Sequence, residues 1–128
     1  MAATNYPVGD FLIRVKNAAN AHRESVDAPV TKFIKSIAQV LKDEGYVRDI
    51  EVKKGIIDMK LAYSRKEPVL MDIKLVSKPG LRIYKGVDEV KKHKRGASIL
   101  ILSTPDGVIS SKKALKKGVG GEVIAEIW

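Results

Sequence analysis

The chain has 128 residues, enough for one apolar core or two small ones sharing an interface, and its 45% apolar and 30% charged composition excludes a disordered tail. It contains no cysteine, which excludes disulfides and thiolate metal sites and fits a reducing compartment. The net charge of +9 is concentrated: residues 77 to 117 carry eleven basic side chains against three acidic ones, a net +8, so the remainder is close to neutral. Charge this uneven reads as one face built for a large anion, of which nucleic acid is the commonest.

The chain order predicts an α+β fold. Asn5 is placed to cap a helix with Pro7 in its first turn, followed by Val8, Phe11, Leu12, Val15 and Ala19 at helical spacing; Arg14, Lys16 and Asn17 mark the opposite side. A short extended piece, Ser25 to Pro29, leads to Thr31, which can cap a second helix with the stripe Ile34, Ile37, Ala38 and Leu41, ended by Gly45. The period then changes to two. Val47, Ile50 and Val52 predict a strand, Lys54-Gly55 a tight turn, and Ile57, Met59 and Leu61 the next strand. Val69 to Val76 alternates as a third, giving an N-terminal domain of two helices packed on a three-stranded sheet over residues 1–76.

Ser77-Lys78-Pro79-Gly80 is a turn at which the charge shifts, and it marks the boundary of a second, basic domain over residues 77–128. This half reads as a mostly antiparallel sheet with short helices. Leu81 to Tyr84 is a short strand, Val87 to Lys92 one or two helical turns, and Ser98 to Leu102 a central strand. Thr104 to Gly107 is a turn with Pro105 at its second position, and Val108-Ile109 resume the sheet. Ser110 caps a short helix through Lys117, Gly118 closes it, and Val123, Ala125 and Ile127 alternate in the last strand. The first residues show no basic-then-apolar leader pattern, and no apolar run approaches the roughly 18 residues of a membrane span. These features fit a soluble, intracellular protein.

No enzyme constellation emerges, and no cofactor is implied. Gly118-Val-Gly120-Gly121 has the composition of a phosphate loop but follows a helix and enters a strand, the reverse of the strand–loop–helix order that aims amides at phosphate. Ser103 lacks the Gly-x-Ser-x-Gly elbow, and His22 and His93 stand isolated in polar or basic surroundings, making neither a base nor a zinc site. Asp88 and Glu89 read as the first turn of a helix facing its dipole. A DNA-binding reading needs a recognition helix, and the one strongly basic helix, Ser111 to Lys117, is very short.

What remains is a group of small hydroxyls and glycines at strand ends, flanked by cations and one aromatic. Ser103 and Thr104 offer short donors and acceptors, expected to point outward beside Gly120 and Gly121, where a backbone can approach a partner closely. RNA helices expose 2′-hydroxyls and phosphates that such groups read by shape. Tyr84, between Arg82 and Lys85, is placed to stack on an unpaired base or to lie half-buried in its strand.

These residues also carry a resemblance. Residues 96–128, from Gly-Ala-Ser-Ile-Leu-Ile-Leu-Ser-Thr through Gly-Val-Gly-Gly-Glu-Val to Trp128, resemble the C-terminal signature of bacterial small-subunit ribosomal protein eight. The match continues through Ser77-Lys-Pro-Gly-Leu-Arg-Ile-Tyr84, Leu41-Lys-Asp-Glu-Gly-Tyr46 and Asp10-Phe-Leu-Ile-Arg-Val-Lys-Asn-Ala18, covering nearly the whole chain. The resemblance implies a two-domain α+β structural constituent of the small (30S) ribosomal subunit. It implies a primary binder of the central domain of 16S ribosomal RNA that helps assemble the platform beside ribosomal proteins five and twelve. Some members of the family also repress translation of their own operon mRNA. Carried over by position, the main RNA surface falls on Tyr84, Ser103, Thr104, Gly120, Gly121 and Glu122, with Lys78, Arg82 and Lys85 beside it and supporting contacts near Arg14, Asn17, Thr31 and Lys32. The chain departs from the family at Pro105, where a third small polar residue is common and proline offers neither hydroxyl nor backbone donor. Phe11-Leu12-Ile13 replaces the usual Met-Leu-Thr, a change that bears on helix packing.

Overall fold

A computed structural model describes residues 6–93 and 98–128. The expected Asn5 cap, Lys94 and Arg95 of the basic stretch, and Gly96-Ala97 of the C-terminal signature lie outside the described residues. Helix α1 (Pro7–Asn20) begins at a proline whose fixed φ suits the first turn. Tyr6 occupies the N-cap position, and no side chain among the described residues caps the helix there. The Tyr6 ring lies over Gly9, where a Cβ would collide with it, and the Tyr6 hydroxyl donates to the Ser77 carbonyl at 2.9 Å.

Strand β1 (Ser25–Pro29) leads to α2 (Lys32–Asp43), capped by Thr31, whose Oγ1 accepts from the Ile34 N–H at 3.1 Å. Gly45, at φ 88°, ends it. The Gly45 N–H reaches the Lys42 carbonyl and the Tyr46 N–H the Leu41 carbonyl, the paired bonds of a Schellman cap. Strands β2 (Val47–Lys53) and β3 (Ile56–Leu61) are joined by Lys54 and Gly55, both at positive φ, the mirror-image turn whose twist matches a hairpin. A small hairpin, β4 (Tyr63–Ser64) and β5 (Glu67–Pro68), precedes β6 (Ile73–Leu75). The second half runs β7 (Tyr84–Lys85), α3 (Val87–Lys92), β8 (Ile99–Thr104), β9 (Gly107–Ser110), α4 (Ser111–Lys117) and β10 (Gly121–Ile127). Ser110 caps α4 through the Lys113 N–H, and Gly118 closes it at φ 70°.

The α+β class holds, with helices α1 and α2 against a three-stranded sheet in the order β1-β3-β2. Three strand assignments change. The third strand of that sheet is Ser25–Pro29, which the sequence marked only as an extended piece; it pairs antiparallel with β3 from Ser25↔Lys60 to Pro29↔Ile56. Alternation over Val69 to Val76 is real only at Ile73–Leu75, and those residues join the other sheet by pairing with β10. The β4–β5 hairpin turns the chain away before Val69, and alternation tells which face is buried, not which sheet takes the strand. The expected strand Leu81 to Tyr84 is likewise shifted to Tyr84–Lys85: Lys78 and Leu81 exchange backbone hydrogen bonds across a turn with Gly80 at φ 81°. The buried Ser77 hydroxyl accepts from the Ile83 N–H at 3.0 Å and fixes that turn.

The five-stranded sheet has the order β6-β10-β8-β9, with β7 also paired to β10. Its β8 is interior and apolar on both faces at Ile99 to Leu102, as its continuous apolar run predicts. One face contributes Ile99, Ile101, Ile124 and Ile127 to the same cluster as Phe11, Leu12, Ile37 and Met59. The other packs Leu100, Leu102 and Val123 with Val90 of α3 and Ala114 of α4. Of the unusual Phe11-Leu12-Ile13 triplet, the first two enter the core and Ile13 is half exposed.

Leu12 is fully buried in the cluster the two sheets share. Leu12→Ala is therefore expected to cost about 2–5 kcal/mol. Urea unfolding followed by far-ultraviolet circular dichroism and by Trp128 fluorescence should move to one lower midpoint; two separated transitions would contradict a shared core.

Candidate nucleic-acid interface

Three neighbouring strands bring the main candidate residues into one row. Glu122, at the start of β10, is in register with Tyr84 on β7 and with Ser103 on β8. Cross-strand partners share a face and sit about 4.5–5.5 Å apart at Cβ. The row therefore reads ring, carboxylate, hydroxyl. Tyr84 is 67% exposed, so it is not a half-buried strand residue: its strand turns it outward. Ser103 is half-buried and Glu122 largely covered.

Gly120 and Gly121 have an internal reason to be glycine. A Cβ on Gly120 would collide with the Lys85 carbonyl and Gly86, and one on Gly121 with the Ser103 carbonyl, with the Thr104 methyl at 3.1 Å. The close backbone approach that the sequence assigned to a partner is made by the protein's own β7 and β8 ends. The glycines let β10 enter between them and so set the spacing of the row.

Thr104 departs from expectation in a second way. Its hydroxyl does not point free beside the glycines: it donates to the Gly107 carbonyl at 2.8 Å and accepts from the Asp106 N–H at 3.1 Å. Pro105 cannot donate in this turn, and the threonine hydroxyl supplies the bonds that hold it. Ser103 has no such turn bond among the described residues.

The charges around the row are arranged in a chain. Arg82 lies 3.3 Å from the Glu122 carboxylate, and its guanidinium stands 5.8 Å from the centre of the Tyr6 ring. Burial raises the Tyr6 phenol above its ordinary pKa, with Arg82 pulling in the opposite direction. Arg82, assigned to RNA by sequence, is thus already engaged between an acid and an aromatic ring. Lys85 flanks the row, in register with Gly121. The Glu89 carboxylate accepts from the Gly86 N–H at 3.2 Å, holding the start of α3 beside it.

The remaining candidates lie elsewhere. Lys78 is exposed and borders a depression lined by Ile13, Lys16, Asp72, Leu75 and Trp128. Arg14 and Asn17, on α1, line a hollow with Arg23 and Asp27, and Arg14 donates to the Asp27 carbonyl at 3.3 Å. Arg14 also borders the apolar cleft that contains Thr31, whose hydroxyl is spent on capping α2; Lys32 is exposed on the first turn. Sequence reasoning did not find Tyr6, whose signal was only an aromatic before a proline, nor the pairing of Arg82 with Glu122, which are 40 residues apart.

The bond pattern separates the two hydroxyls. Thr104→Val removes both turn bonds and is expected to lower stability by about 1–3 kcal/mol. Ser103→Ala should change stability by less than about 1 kcal/mol. Thermal melts of the two single variants check this; equal losses would contradict the division.

The model of the family described as Ribosomal protein S8 matches residues 6–128. The chain is 45% identical to Small ribosomal subunit protein uS8 of Caldicellulosiruptor bescii, over 95% of this chain and 96% of the relative. It is 48% identical to the protein of that name in Limosilactobacillus fermentum and 44% in Enterococcus faecalis, with the same coverage. With the match running from Tyr6 through the glycine pair to Trp128, the chain belongs to the ribosomal protein S8 family, a family of structural proteins rather than enzymes.

Proposed function

We propose that the protein is a structural, RNA-binding constituent of the small ribosomal subunit in the cytoplasm. It binds the central domain of 16S ribosomal RNA, helps order the platform, and has ribosomal proteins five and twelve as neighbours. Its own operon mRNA is a second ligand where it folds like the ribosomal site. Supporting the reading are relatives named as small-subunit proteins and a net +8 between residues 77 and 117. No helix among the described residues is long and apolar enough to cross a membrane.

The observation that carries the reading is the row of Tyr84, Glu122 and Ser103 beside Lys85. A ring 67% exposed on a sheet surface is a stacking platform, and the hydroxyl and carboxylate beside it are sized for base edges and 2′-hydroxyls. Duplex DNA lacks both the 2′-hydroxyl and an unpaired base for the ring, and no long basic helix among the described residues is available for its major groove. We assign the RNA affinity chiefly to residues 77–128, with residues 1–76 acting as support and Arg14, Asn17, Thr31 and Lys32 making secondary contacts.

Gel shifts with a central-domain fragment of small-subunit RNA against random duplex DNA test the class of ligand. Tyr84→Ala is expected to weaken binding to the RNA fragment by about 1–3 kcal/mol, and Tyr84→Phe to lose little. Because the ring is exposed, neither variant should move the melting temperature appreciably. Unchanged RNA affinity in a folded Tyr84→Ala protein would refute the stacking role.

A further inference from the structure

His22, isolated in the sequence, is not isolated in the fold. It follows the C-cap of α1 in the left-handed conformation, at φ 55°, where glycine is the usual residue. Its N–H bonds the Ala19 carbonyl and the Arg23 N–H bonds the Ala18 carbonyl, so the helix closes in a Schellman turn built on an imidazole. The His22 Nε2 lies 2.9 Å from Oε2 of Glu67 on β5, and the Tyr63 hydroxyl on β4 donates to the Arg23 carbonyl. Both side-chain hydrogen bonds of the β4–β5 hairpin among the described residues therefore land on the two residues that close α1. The hairpin turn is strained as well: Arg65 and Lys66 sit at φ 53° and 68°, in the mirror-image turn that favours Asn and Gly. Three of the four non-glycine residues with positive φ among the described residues thus belong to this one junction. Such conformations persist only where their surroundings over-determine them.

We propose that His22 and Glu67 form a proton-operated latch that fastens the β4–β5 hairpin to the end of α1. A hairpin this small does not hold itself together in water. It also carries the chain out of the three-stranded sheet: the Ala62 N–H bonds the Tyr46 carbonyl just before β2, and beyond Val69 the chain reaches β6, which pairs with β10. The latch fixes that crossing. As a cation the imidazole donates to the carboxylate and faces the carbonyl end of α1, whose dipole favours positive charge. The hydrogen bond to Glu67 first, and one to the Asn20 carbonyl second, raise its pKa above the ordinary histidine value. From the hairpin, Glu67 faces it directly and the Tyr63 ring stands 6.4 Å away, tilted by 46°. Arg65 and Lys66 are exposed in the hairpin turn, Arg23 and Glu24 follow on its own segment, and among the described residues only Glu67 forms an ion pair with it. The cation's extra hold is complete below the unfolded-state pKa and is lost as pH rises through the raised, folded-state value. Above that value a neutral hydrogen bond remains, and the hairpin opens more readily.

The test joins an NMR titration of the full chain to hydrogen exchange. The histidine resonance that disappears in His22→Asn, a residue that tolerates the left-handed turn, identifies His22. Its midpoint should lie above the ordinary histidine value and fall back toward it in Glu67→Gln. The Val69 N–H bonds the Ala62 carbonyl at the base of the hairpin. Its protection, corrected for intrinsic exchange, should fall about two- to fivefold as pH passes the His22 midpoint. In Glu67→Gln the Val69 protection should be low and independent of pH over the same range. The Val76 N–H, bonded to the Ile124 carbonyl in the larger sheet, should stay unchanged in both proteins. An unshifted midpoint in the unaltered protein, or the same pH-dependent loss at Val69 in Glu67→Gln, overturns the latch. A parallel loss at Val76 means global rather than local opening and overturns it as well. Should Glu67→Gln fail to melt cooperatively, His22→Asn supplies the comparison, and pH-dependent protection of Val69 that persists there overturns the latch.

Discussion

The closing strand β10 must pass through a gap that admits no side chain. Lys85 and Gly86 crowd its entry on one side and the Ser103 carbonyl on the other, and only the pair Gly120-Gly121 fits. Once through, the strand is the hub of the second half of the molecule. It pairs with β6, β7 and β8, and it places Val123 in one apolar cluster and Ile124, Ala125 and Ile127 in the other. The register shift between Val123 and Ala125 accompanies this change of face. The row of Tyr84, Glu122 and Ser103 is a consequence of that passage: the residue that follows the glycines is held level with the ends of two other strands.

The two halves of the chain are distinct in charge and continuous in core. Residues 77–117 hold nearly all of the net charge, yet Ile99, Ile101 and Ile124 share a cluster with Leu12, Ile37 and Met59. Tyr6 adds a hydrogen bond to Ser77 and stands under Arg82. The neutral half thus shares its core with the charged one, and an aromatic residue from the opposite end of the sequence stands beside Arg82 at the candidate interface. Such a division suits a protein that must present a fixed shape to a flexible polyanion.

Where a feature is fixed by neighbouring residues it was legible in the sequence. Thr31 and Ser110 cap their helices as read, Gly45 and Gly118 close them in the left-handed conformation, and the Lys54-Gly55 turn joins β2 to β3. The α+β class followed from the change of period near Val47. What depends on distant pairing was not legible. Ser25–Pro29 is too short and too polar to declare itself a strand, and Ile73–Leu75 joins β10 rather than the nearer hairpin because its partner lies some fifty residues on. In the candidate site, residue types were readable but their engagement was not. Thr104 looked like a free hydroxyl because its bonds are made to the backbone of a turn containing Pro105. The glycines looked like room for a partner because the backbones that fill the room are distant in sequence.

On the RNA-binding reading proposed above, cations of residues 77–128 supply the affinity for RNA and the row of Tyr84, Glu122 and Ser103 supplies selection. The most direct measurement is the equilibrium constant for a central-domain RNA fragment as a function of salt. If three to six phosphates are neutralised, log affinity should fall against log salt with a slope of roughly −2 to −5, and the preference over random duplex should persist as salt rises. A slope near zero, or a preference that vanishes with the salt-dependent part of the binding, would contradict the account.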